Sequence, residues 1–135
     1  MSSYSHVNLL EVDDSVGDRV EGLQGRFARS RLDSRDLGVS HWRYAANFRA
    51  PFAHSHKEQE EAYIVVAGSG RVRLDDEIRD VRQWDVVRVA PEVVRAFEAG
   101  ADGLELIAIG GPKPEGGDGV VSETPWPDAA VDAGA

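Results

Sequence analysis

The chain has 135 residues, 41% hydrophobic and 29% charged, with a net charge of -9 from 24 acidic and 15 basic residues. These proportions suit one packed globular domain and not a disordered chain, and the negative balance disfavours nucleic acid and anionic membrane surfaces as partners. Cysteine is absent, which removes disulfides, thiolate metal sites and cysteine nucleophiles together.

Short runs of β-branched and aromatic residues, separated by turn chemistry at intervals of roughly 8–12 residues, predict an all-β sandwich or barrel. In chain order the predicted strands fall at residues 7–12, 26–32, 38–48, a short piece at His54, then 62–67, 70–74, 77–81, 86–89, 95–99 and 104–109. Gly68-Ser69-Gly70 and Asp75-Asp76 read as hairpin turns, because the apolar runs beside them are too close together to enclose a helix. No stretch repeats apolar residues at helical spacing for three turns, so helix is confined to about one turn within residues 16–23. Residues 1–110 form the expected single domain. Residues 111–135, rich in Gly, Pro and Ala, read as a C-terminal tail in which Trp126 is the one large apolar side chain able to pin the segment down. Neither a signal-type apolar segment near the start nor a run of about eighteen apolar residues occurs, which leads to the expectation of a cytoplasmic protein without a membrane partner.

The chemistry concentrates in His54-Ser55-His56-Lys57-Glu58-Gln59-Glu60-Glu61. Residues two apart on a strand share a face, so His54 and His56 project together. If Glu61 opens the next strand facing inward, Tyr63 shares its face and the groups converge on one cavity. Two imidazoles and a carboxylate suit a divalent Fe, Zn, Mn, Co or Ni ion that keeps positions open for water or substrate. No Gly-x-Ser-x-Gly elbow and no Ser-His-Asp context is present, which argues against acyl transfer through serine.

His54, His56, Glu61 and Gly68 resemble the first motif of the cupin superfamily, in which H-x-H is followed at fixed offsets by Glu and Gly. Residues 82–91 resemble the second motif, with Trp84 where the family has Gly. The resemblance spans about residues 37–109 and implies a small single-domain cupin: a double-stranded β-helix, or jelly-roll barrel. Small cupins commonly pair, so a homodimer is expected.

The sequence departs from that pattern at one position of consequence. Aligned on Pro91, with Phe97 as the following aromatic, the family's further histidine is Arg95 here. Arg keeps its proton and offers no lone pair, so it is no ligand. Two readings follow. In one, a divalent ion sits on His54, His56 and Glu61 and Arg95 binds an anionic group of a small-molecule substrate, as in a dioxygenase or isomerase with Glu61 and Arg95 as catalytic groups. In the other, the guanidinium replaces the metal, forms a forked ion pair with Glu61 or Glu60, and the barrel is a metal-free binding module. Repulsion between Arg95 and a divalent ion, several kcal/mol at about 5 Å and an effective dielectric near 20, weighs for the second. Tyr63, Phe97 and His41 are further candidates to touch substrate, each with an ordinary packing role as the alternative.

Overall fold

The computed structural model describes residues 3–128. It contains eight strands in one antiparallel sheet that curls on itself: β1 (Leu23–Phe27), β2 (Gly38–Tyr44), β3 (Ala53–His56), β4 (Glu61–Leu74), β5 (Glu77–Arg82), β6 (Val86–Val89), β7 (Arg95–Gly110) and β8 (Gly119–Ser122). A single-turn helix, α1 (Arg29–Leu32), joins β1 to β2.

The two longest strands, β4 and β7, hold the barrel together. Leu104 to Gly110 of β7 pair with β2 on one side and with Glu61–Gly68 of β4 on the other; Arg95–Ala99 pair with Gly70–Leu74. Apolar alternation along these strands turns Tyr63, Val65, Val72, Phe97, Leu104 and Leu106 inward, each 5% exposed or less.

Several sequence expectations are revised. Residues 62–67 and 70–74 are one strand, and so are 95–99 and 104–109. Gly68-Ser69-Gly70 is no hairpin turn. It is an irregularity within β4, where the register against β7 shifts between Val65 and Ala67 and again between Gly68 and Gly70. Gly68 has φ +74, and a side chain there would collide with the carbonyl oxygen of Gly103, so glycine serves a close backbone approach and not a chain reversal. Asp75-Asp76 is a hairpin turn as expected, joining Leu74 to Glu77. Residues 7–12 hold no strand, because the Asn8 side chain accepts a hydrogen bond from the Leu10 N–H and caps a 3-10 turn at Leu9–Glu11. Residues 26–32 divide into the end of β1 and α1, and Trp84 keeps a positive φ of 76 where the resembled motif has glycine.

The segment read as a tail is part of the barrel as far as it is described. β8 pairs with β3 along its whole length, from Ala53↔Ser122 to His56↔Gly119. Trp126 is buried, donates its indole N–H to the Ala50 carbonyl, and carries the Arg49 guanidinium over its ring at 4.4 Å. Arg49 and Arg71 both bind Asp128 and Glu98. Residues 129–135 of the expected tail lie outside the described residues.

Candidate metal centre

Strand alternation performs as the sequence suggests. His54 and His56, one intervening residue apart on β3, send their rings into the same cavity with centroids 5.3 Å apart. Glu61, the first residue of β4, turns inward to meet them. Its Oε1 lies 3.3 Å from His56 Nε2 and 3.6 Å from His54 Nε2. Two donors each about 2.1 Å from an ion at a tetrahedral angle would be roughly 3.4 Å apart, so this spacing matches a shared ion. One ligand atom from each of the three residues lies within 4.8 Å of the others.

His56 is held on both sides. Its Nδ1 lies 2.8 Å from Asp118 Oδ1, and Asp118 Oδ2 accepts the backbone N–H groups of Glu58 and Gln59. A carboxylate at Nδ1 keeps the proton there and leaves the Nε2 lone pair facing His54 and Glu61, the arrangement that presents an imidazole to a metal. Burial opposes ionisation of Asp118, but these three hydrogen bonds outweigh it and hold the carboxyl well below the usual carboxylate range. Sequence reasoning missed Asp118, which lies 62 residues from His56 in a Gly-rich segment. No local spacing connects the two.

Arg95 makes the Glu61 ion pair of the second sequence reading and not the substrate contact of the first. Its side chain is fully buried and does not line the cavity. Nε donates to the Tyr63 hydroxyl, Nη1 to the Pro91 and Val93 carbonyls, and Nη2 to Glu61 Oε1. With each nitrogen already committed, Arg95 has no face left for a substrate anion, and its role as a substrate-binding or catalytic group is withdrawn. The ion pair with Glu61 is real but single-pronged. Glu60 pairs with Arg88 instead.

Tyr63 lines the cavity and donates to Glu61 Oε1 at 2.7 Å. Phe97 is core: it is 3% exposed and packs on the Tyr63 ring at 5.0 Å, behind the cavity wall. His41 faces away from the cavity, between lining residues Ser40 and Trp42, with its Nε2 3.2 Å from Glu105. Neither Phe97 nor His41 reaches a substrate in the barrel, because one-residue alternation puts His41 on the far face and Phe97 lies under Tyr63.

Burial by itself would raise the Glu61 carboxyl; hydrogen bonds with His54, Tyr63 and Arg95 outweigh it and bring the pKa down from 4.5 to about 2. A carboxylate this well solvated by the protein is a weak base, which fits a ligand better than the catalytic base considered from the sequence. The sign for stability follows directly. A depressed folded-state pKa contributes fully above about 4.5 and is lost as pH falls towards about 2, so metal-free protein should lose up to about 3 kcal/mol from this group across that window. Urea unfolding at a series of pH values, wild type against Glu61→Gln, measures it. The variant should show a shallower acid slope, and equal slopes would remove Glu61 from the cause.

The cavity above the three residues has a volume of about 600 Å³. Its wall is mostly apolar, formed by Leu23, Trp42, Tyr44, Phe52, Leu106 and Ala108 among others. Such a volume lies within the range of small-molecule sites.

No protein-family model and no curated protein matches the chain. Solved structures do. A cupin protein from Bacteroides fragilis superposes with a TM-score of 0.69 at 23% identity, covering 84% of this chain and 88% of that one. An RmlC-like cupin from Shewanella frigidimarina gives 0.66 at 19%, covering 85% and 98%. An oxalate decarboxylase variant from Bacillus subtilis gives 0.67 at 22%, covering 78% of this chain and 29% of the longer protein.

Proposed function

This chain has the fold of the small cupins, and from that premise we propose that it binds a divalent metal ion on His54, His56 and Glu61 and acts on a small molecule held in the barrel, as a dioxygenase or isomerase would. The observation that carries the reading is the convergence of His54, His56 and Glu61 at ligand-like spacing, with Asp118 orienting one imidazole from behind. A bound ion would act as a Lewis acid on a substrate oxygen. The chain's own residues do the rest. Asp118 keeps the His56 Nε2 lone pair aimed inward, Arg95 and Tyr63 keep Glu61 ionised and fixed, and the aromatic wall excludes water from the apolar part of a ligand.

One observation favours a metal-free binding module instead. Arg95 already neutralises Glu61, and a divalent ion on the same carboxylate would meet an adjacent positive charge. The distances that suit a shared ion are those of Oε1, the oxygen that Arg95 and Tyr63 already hold, while Oε2 takes no side-chain hydrogen bond among the described residues.

Metal analysis of the purified full chain decides between the two. The expected result is one Fe, Zn, Mn, Co or Ni per chain, with chelation lowering the melting temperature. Metal-free protein that neither takes up these ions nor melts differently with chelator supports the module.

A further inference from the structure

We infer that the ligand of this barrel is an amphipathic carboxylate, its anionic end on Arg29 and its apolar body along the aromatic wall. This rests on the reading of the cavity as a small-molecule site, and not on the metal.

Charge inside the cavity runs opposite to charge on the chain. The protein as a whole carries -9, yet among the described residues Glu61 is the only carboxylate in the cavity wall, and Arg95 balances it. Arg29 and Lys113 also line the cavity, which leaves its interior positive. Lys113 is exposed at the edge. Arg29 is half-buried, and among the described residues no carboxylate pairs with it; its only hydrogen bond is a long one, 3.5 Å, from Nη2 to the Gly111 carbonyl. A half-desolvated guanidinium beside apolar wall and without an anion is what a ligand carboxylate would complete.

The place is built into the sheet. The Arg29 guanidinium lies over Gly38, where any side chain would press on it: a Cβ there would come within 2.7 Å of Nη2 and 3.3 Å of Cζ and Nε. Gly110, the β7 partner of Gly38, likewise leaves room for Gln59, which is 5% exposed and donates to the same Gly111 carbonyl at 3.1 Å. Two facing glycines therefore make a floor on which Arg29 and Gln59 meet. Gly110 is also the β7 partner of Glu61. Arg29 thus sits over a strand two inter-strand spacings from Glu61, roughly 10 Å in the sheet. That separation admits an apolar body between the anionic end and a group directed at His54, His56 and Glu61.

The test uses full-length protein kept metal-free with chelator, so that a carboxylate cannot be held by an ion. The probes are ω-phenylalkanoates of increasing chain length and their uncharged amides, followed by the NMR shift of the Trp42 indole N–H and by calorimetry. Wild type should bind at least one acid about tenfold more tightly than its amide. Arg29→Gln should abolish the preference, Arg29→Lys should keep part of it, and Arg79→Gln, at an exposed arginine of β5 outside the cavity, should leave it intact. Equal binding of acid and amide by wild type, no binding of any acid, persistence of the preference in Arg29→Gln, or its loss in Arg79→Gln each overturns the assignment. A chain that takes up no metal but shows the Arg29-dependent preference sinks the metal reading and leaves this one standing.

Discussion

Arg95→Met is expected to lower the unfolding free energy by about 3–5 kcal/mol, a large fraction of what a domain of this size has to lose. The cause is what the guanidinium leaves behind. Its side chain is 0% exposed, and removing it strands the Glu61 carboxylate, itself 15% exposed, together with the Pro91 and Val93 carbonyls and one bond to Tyr63. Methionine fills much of the space and makes none of those bonds. The measurement is urea unfolding near neutral pH, with Glu61→Gln and the double variant completing a cycle. Because Arg95 and Glu61 touch, their effects should not add: the double variant should recover part of the loss, since no unpaired charge remains. A cost for Arg95→Met below about 1 kcal/mol would mean the pair contributes little to the fold.

His54→Ala/His56→Ala should abolish stoichiometric metal uptake with little loss of fold. His54 is 43% exposed; His56 is 12% exposed, and when it is removed Asp118 keeps the backbone N–H groups of Glu58 and Gln59. Glu61 alone, already paired with Arg95, cannot hold a divalent ion in competition with water. Asp118→Asn discriminates more finely, because it keeps all three ligands and changes only what stands behind His56. It should weaken metal binding about 10–100-fold while leaving the stoichiometry at one. Titration with Zn and Mn, read by calorimetry with folding checked by circular dichroism, compares the variants. Undiminished uptake in the double histidine variant would place any ion elsewhere. An unchanged affinity in Asp118→Asn would reduce Asp118 to a support for the turn at Glu58 and Gln59.

How much of this was legible differs from residue to residue. His54 and His56 were readable as a pair because side-chain direction on a strand depends only on parity, and Glu61 because it stands at a fixed offset that opens the next strand. The hairpin at Asp75-Asp76 and the strand at Val86–Val89 were readable from turn chemistry and β-branched composition. Parity also told that Tyr63 would share the face of Glu61. It could not tell that Phe97 would lie behind that tyrosine, or that a register shift would turn Gly68-Ser69-Gly70 into a kink within a strand, since both depend on which strand lies opposite.

The alternation of β3 and the donor chemistry of His54, His56 and Glu61 are properties of consecutive residues, and the amino-acid sequence by itself determined them. Contacts between distant segments decided the rest. Arg95 makes its four hydrogen bonds, to Tyr63, Glu61, Pro91 and Val93, because the side chain of the first residue of β7 lies against the start of β4. Asp118 came to stand behind His56 because β8 returns to pair with β3, and Arg29 settled over Gly38 because two strands meet there without side chains. A hydrogen-bond partner such as Asp118, 62 residues from His56, leaves no periodic mark on the chain, whereas the direction of a side chain along one strand does.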